Sequence, residues 1–254
     1  TTDHKWTNAV RLIAASPGMI GAAQLAASGA LRAGAGMVVV SSPTINLQSN
    51  DMPPEAVQRK ITAATLVPEV LKDLDRFAAL LIGPGLGTDP ETVAMTAELI
   101  ERSPIPTVVD ADGLTAVATH PTCLLRSAST TVLTPHDGEF EKLTGSPPAL
   151  DRCAAVRSAA KNSAVLLKGP TTLVSDTNGD LIFVRNANQR LATAGTGDVL
   201  TGIIGAVIRN TPIHLAAAAA AHWHGQAAQL AQPDMTASDL PLLLQSARSE
   251  MLKK

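Results

Sequence analysis

The chain has 254 residues, 45% of them apolar, yet it holds no tyrosine, 3 phenylalanines and 2 tryptophans. That length suits one large α/β domain spanning residues 1–254, with a core that must be built from Ala, Leu, Val and Ile. A net charge of −2 gives no electrostatic case for nucleic acid or an acidic membrane surface, and no apolar run is long enough to span a bilayer.

Cys123 and Cys153 have neither metal nor disulfide-framework spacing and read as reduced, buried thiols. No signal peptide is evident, so a cytoplasmic protein is expected. In chain order, residues 8–15 (NAVRLIAA) read as a strand and Ser16-Pro17-Gly18-Met19 as a turn. A small-residue helix over 21–32 closes at Gly34 and Gly36, and 37–40 (MVVV) is a buried strand. This strand–helix–strand unit builds parallel sheet. Residues 43–60 are polar and proline-rich and are predicted to form a loop. A strand over 77–82 runs into Gly83-Pro84-Gly85-Leu86-Gly87, and Thr88-Asp89-Pro90 opens a helix over 90–101. Glycines at the carboxyl end of a parallel strand either make a tight turn or line the ligand crevice.

The strand over 107–109 meets Asp110-Ala111-Asp112-Gly113-Leu114, an aspartate pair that holds Mg²⁺ through waters or caps the next helix. Asp110 is favoured for function and Asp112 is left open. The strand over 131–133 ends in Thr134-Pro135-His136-Asp137-Gly138-Glu139. His136 and Glu139, three apart at a helix start, are expected to share one face toward the crevice; the alternative is a capping carboxylate with a surface histidine. A loop over 145–150 and a helix over 151–161 lead to a strand over 164–167 and then to Lys168-Gly169-Pro170-Thr171-Thr172. Lys168 can reach phosphate oxygens as a point charge. Strands over 173–175 and 181–185 flank Asn178-Gly179, which predicts a hairpin and an antiparallel edge to the sheet. Helices are predicted over 199–209, 212–230 and 236–249. In the second of these, His222 and His224 lie on different faces, which argues against a metal pair.

The central stretch is Ala192-Thr193-Ala194-Gly195-Thr196-Gly197-Asp198. Its glycines let the backbone turn tightly and approach a ligand, and the following helix start supplies free N–H groups for an anion. Asp198 in that first turn is placed to accept a proton from a hydroxyl under phosphorylation. The plain alternative is an aspartate cap after a glycine turn. No G-x-x-x-x-G-K-[ST] phosphate loop occurs.

These segments together resemble the ribokinase-like superfamily, and within it the NAD(P)H-hydrate dehydratases. The resemblance covers His4 to about Leu244, through His4-Lys5, Arg32-Ala33-Gly34-Ala35-Gly36, Ile82–Gly87, Thr134–Glu139, Lys168–Thr172 and Leu191–Asp198. It implies a mostly parallel sheet with helices on both faces and a β-hairpin edge. It also implies Asp198 as general base, and substrate contacts at Ala22, Gly85, His136 and Asp198, though Ala22 itself reads more readily as a packing residue. Nucleotide contacts are implied at Lys168, Gly169, Pro170, Thr171, Thr172 and Gly197. An anion hole follows at Gly195, Thr196 and Gly197, with Mg²⁺ held indirectly near Glu139. The implied substrate is the C6-hydroxylated NADHX or NADPHX in its S form, with ADP favoured over ATP as co-substrate. A homo-oligomer and a partner epimerase are further expectations. The start at Thr1-Thr2-Asp3 reads as a domain cut from a fusion with that epimerase, among other origins. The chain departs from the family at Trp6, at Ala14-Ala15-Ser16 where glycines are usual, and at Gln189-Arg190. Arg190 is unassigned. Two rival functions use the same loop: a vitamin-precursor kinase for hydroxyethylthiazole or a pyrimidine, and a non-catalytic adenine-nucleotide-binding protein.

Overall fold

Residues 4–126, 130–148 and 150–253 are described by a computed structural model; Thr1–Asp3 and part of the 145–150 loop lie outside them. Among the described residues nine strands form one sheet: β1 (Ala9–Ile13), β2 (Met37–Ser41), β3 (Val57–Gln58), β4 (Ala79–Ile82), β5 (Thr107–Val109), β6 (Thr131–Leu133), β7 (Ala164–Leu167), β8 (Thr172–Ser175) and β9 (Leu181–Val184). Their order is β3-β2-β1-β4-β5-β6-β7-β8-β9. All pairs from β3 to β7 are parallel, whereas β8 and β9 run antiparallel and form the expected hairpin edge. The hairpin loop is longer than an Asn-Gly turn. The Asp176 carboxylate accepts from the N–H groups of Asn178 and Asp180, and Gly179 takes the left-handed position.

Alternation along the strands splits the core into two layers. Val10 and Leu12 of β1 face α1 (Ile20–Arg32), α7 (Thr196–Val207), α8 (Ile213–Leu230) and α9 (Asp239–Met251). Ala9 and Ile13 face α2 (Leu66–Leu71), α3 (Pro90–Arg102), α4 (Asp112–Thr119), α5 (Asp137–Thr144) and α6 (Arg152–Ala159). Because both faces are covered, the central strands read as unbroken apolar runs, which is why they were legible from sequence.

The small-residue composition has its purpose where α1 crosses α7. A Cβ on Gly29 would lie 2.5 Å from the Val199 carbonyl oxygen, and one on Gly202 would strike the Ala26 carbonyl. The two backbones therefore touch, and α7 is fixed by α1 along its length. Replacing Gly202 by alanine forces these helices apart and is expected to cost at least about 2 kcal/mol. Urea denaturation checks this; a loss below about 0.5 kcal/mol would show that the crossing is loose.

Residues 43–60 are not all loop. Val57 and Gln58 pair in parallel with Val39 and Val40 as the outermost strand. Two residues carry no readable period. The strand is held by tertiary contacts instead, namely Arg59 N–H to the Val40 carbonyl (2.8 Å) and the Arg59–Asp73 ion pair (2.9 Å). Helix α2, within a stretch left unassigned from sequence, is likewise too short to announce itself. Among the described residues no helix is long and apolar enough to cross a membrane.

Candidate active site

The carboxyl ends of the parallel strands converge on the start of α7, the place where open α/β sheets bind ligands. Gly83 follows β4 with φ +125°, and a Cβ there would overlap the Asp110 carbonyl oxygen, so only glycine lets the two strand ends close up. Gly85 packs on α1: its Cβ would sit 3.0 Å from the Ala22 Cβ, so the two residues expected to meet substrate are neighbours. Asp112 pins this glycine loop by accepting from the Gly87 N–H (2.8 Å).

The Ala14-Ala15-Ser16 departure acquires a physical meaning. Ala15 holds φ +73° while its N–H donates to the Pro84 carbonyl (3.0 Å) and its carbonyl accepts from Ser42 Oγ (2.7 Å). Ser16 Oγ donates to the Gly85 carbonyl (2.9 Å). The turn thus buttresses the Gly83–Gly87 loop, at the strain of a left-handed alanine. Ala15→Gly is expected to stabilise the fold by about 0.5–1 kcal/mol, read from the denaturation midpoint; a destabilised variant would contradict the strain assignment.

A chain of charges crosses the floor of the site. Asp110, 2% exposed, accepts from Lys168 Nζ (2.9 Å) and from Thr201 Oγ1 (2.7 Å). Lys168 Nζ lies 3.5 Å from Glu139 Oε2. Burial alone would lower the Lys168 ammonium, but Asp110, Glu139 and Asp198 together hold it above its ordinary value. Lys168 thus joins two carboxylates and also stands 3.4 Å from where a Gly197 Cβ would be. His136 and Glu139 cap each other's backbone. His136 Nδ1 accepts from the N–H groups of Gly138 and Glu139, and Glu139 Oε2 accepts from the His136 N–H (2.8 Å). The expected capping and crevice readings therefore coexist in Glu139, while the His136 side chain stays exposed.

At the start of α7, Gly195 adopts φ +88° and the N–H groups of Gly195, Gly197 and Asp198 donate to no protein acceptor among the described residues. The Thr196 N–H turns back to the Thr193 carbonyl (3.3 Å), and its hydroxyl donates to the carbonyls of Leu191 and Thr193. Thr196 thus shapes the loop through contacts inside it. The half-buried Asp198 carboxyl is pushed up to about 7, first by burial, then by Asp110, with Lys168 pulling the other way and Asp112 and Glu139 adding to the rise. An anion pocket beside a carboxylate poised at neutrality can bind a transferring phosphoryl group and take a proton from its acceptor.

A cavity of about 420 Å³ opens beside this loop, lined by Lys168, Gly169, Pro170, Thr172 and Gly197 among others. Thr171 is not among the lining residues. Arg152 steadies its rim by donating to the Lys168 carbonyl (3.2 Å) while paired with Asp137 (2.8 Å). Gln189 lines the cavity, whereas Arg190 turns away to the Ala228 carbonyl (3.3 Å). Sequence reasoning did not find the Asp110–Lys168 pair, Thr201 or Arg152, whose spacings along the chain carry no local signal. No cluster of three or more His, Cys, Asp or Glu side chains fit to hold a metal exists among the described residues.

The sheet order, the glycine loop and the charged floor define an α/β protein of the ribokinase-like class. A solved ribokinase-like superfamily protein from Enterococcus faecalis shares the fold, with a TM-score of 0.82 over 97% of this chain and 90% of that one at 22% identity. A family model described as NAD(P)H-hydrate dehydratase matches residues 10–249, and the chain belongs to that family. The bifunctional NAD(P)H-hydrate repair enzyme of Moorella thermoacetica is 36% identical over 95% of this chain and 50% of its own length. The chain thus spans about half the length of the curated relatives it matches. The ADP/ATP-dependent NAD(P)H-hydrate dehydratase of Bacillus subtilis, co-crystallised with ATP and Mg²⁺, matches with a TM-score of 0.79 and 28% identity over 98% of this chain and 92% of that one.

Proposed function

We propose that residues 1–254 act as a single dehydratase domain that returns (6S)-NADHX and NADPHX to NADH and NADPH at the expense of a nucleoside di- or triphosphate. The observation that carries this reading is the half-buried Asp198 carboxyl at the start of α7, beside the backbone N–H groups of Gly195, Gly197 and Asp198, which meet no protein acceptor among the described residues. Hydroxide is a poor leaving group; phosphate, with a relevant pKa of roughly 6, is a good one. Asp198 takes the proton of the C6 hydroxyl as its oxygen bonds to the terminal phosphorus, and the nucleotide leaves one phosphate shorter. The ring-nitrogen lone pair then expels the C6 phosphate, and loss of a C5 proton restores the reduced nicotinamide. Gly195, Gly197 and Asp198 N–H groups hold the transferring oxygens. Ala22, Gly85 and His136 are assigned to the substrate side, and Lys168, Gly169, Pro170, Thr172 and Gly197, which line the cavity, to the nucleotide side.

Mg²⁺ keeps several waters and takes one or two carboxylates, and the floor of the site offers the Glu139 carboxylate beside Lys168. Glu139 would be its outer protein partner, and the ion would neutralise phosphate charge. ADP is the expected donor, as the resemblance implies for bacterial members. A partner epimerase would supply the S form, a pairing suggested by the bifunctional relative. A cytoplasmic setting suits the reduced thiols expected of the buried Cys123 and the half-buried Cys153. The test is incubation of the chain with NADHX and either ADP or ATP, following the reduced-nicotinamide absorbance at about 340 nm. Nucleotide-dependent growth of that band is expected. A phosphorylated product that accumulates without NADH would point to a kinase instead.

A further inference from the structure

The cavity beside Gly197 contains a side chain to which the mechanism assigns no role. His224, on α8, is 4% exposed, yet it lines this cavity together with Lys168, Gly197 and Leu200. Its Nε2 meets no hydrogen-bond partner among the described residues. A buried polar atom left in that state costs about 1–3 kcal/mol, a penalty a ligand can remove. The ring is held there by its own helix turn. A Cβ on Gly225 would lie 2.7 Å from both the carbonyl oxygen and Oδ1 of Asn186, and Asn186 Nδ2 donates to the His222 carbonyl (2.7 Å). The loop after β9 is therefore pressed against this turn of α8.

The surroundings also fix the ring's chemical form. Burial, then the Lys168 ammonium, push the imidazole down to about 4, against an opposing pull from the Thr196 backbone. Neutral imidazole presents one N–H donor and one acceptor. The ring lines the cavity together with Lys168 and with Thr196 and Gly197 of the loop at the start of α7. We propose that His224 is a nucleotide-contacting residue whose ring nitrogen hydrogen-bonds the ribose–phosphate part of an adenine nucleotide seated against Gly197 and Lys168. The proposal rests on the nucleotide-dependent reading above and adds the residue that completes the inner wall of its pocket.

Calorimetric titration of ADP into the wild type, His224→Phe and His224→Gln tests it. Phenylalanine keeps ring volume and removes both nitrogens; glutamine returns a donor and an acceptor at similar reach. His224→Phe is expected to bind ADP about tenfold more weakly, equivalent to about 1.4 kcal/mol. Its ligand-free thermal midpoint should equal or exceed that of the wild type, because an unpaired buried nitrogen has gone. His224→Gln should recover most of the affinity, and KM for (6S)-NADHX should stay within about twofold in both variants. ADP affinity of His224→Phe within about twofold of wild type overturns the proposal. So does a loss that arrives with a lowered ligand-free midpoint and no recovery by glutamine, which marks a packing role. Failure of the wild type to bind either ADP or ATP would instead overturn the nucleotide-dependent reading itself.

Discussion

Asp198→Asn is expected to lower turnover by about two to four orders of magnitude while leaving nucleotide affinity nearly unchanged. The separation follows from geometry: the donors that hold an anion at the start of α7 are backbone N–H groups, which the substitution does not remove. The same variant should be more stable than the wild type at alkaline pH. The Asp198 carboxyl sits near 7 in the folded protein against an ordinary 3.8, so the unfolded chain ionises first as pH rises. Wild-type stability therefore declines through this group between about 3.8 and 7 and levels off above that. The midpoint difference between Asn and Asp should be near zero at the acid end of that window and largest above 7. Full turnover in the variant would remove Asp198 as the base, and a constant midpoint difference across pH would remove the burial that raises it.

What the sequence made legible was whatever is local. Unbroken apolar runs marked the central strands, glycine clusters marked the strand ends, and Gly195–Asp198 marked the glycine turn that opens α7, because turn chemistry and helix starts depend on neighbours a few residues away. The charged floor was hidden for the opposite reason. Asp110 and Lys168 are 58 positions apart and meet only because β5 and β7 both end at the site. The edge strand β3 stayed unseen because two residues cannot show a period, and Arg190 because a carbonyl on α8 captured it. Ala15 shows a third case. The replacement of glycine was visible, but its φ of +73° depends on hydrogen bonds to Pro84 and Ser42 that no local pattern encodes.

Lys168→Met is expected to act on binding, stability and the pH profile together. The ammonium stands between Asp110, Glu139 and the Gly197 loop, so its loss removes a cation from the nucleotide side and should weaken ADP affinity by about tenfold or more. It also leaves Asp110 buried with Thr201 as its one side-chain hydrogen-bond partner among the described residues, a change of the kind that costs about 3–5 kcal/mol. The sharper signature lies in the rate. Lys168 opposes burial, Asp110, Asp112 and Glu139 in setting the Asp198 carboxyl near 7, so without it the carboxyl must move higher still. Since the base must be ionised, the acid limb of kcat against pH should shift to higher pH in the variant, with turnover recovering at alkaline pH once nucleotide is saturating. A profile unmoved along the pH axis would mean that Lys168 does not share the electrostatics of Asp198. Unchanged ADP affinity would separate it from the nucleotide. If both hold still, the lysine serves only to neutralise Asp110, and the anion loop at the start of α7 carries phosphate binding alone.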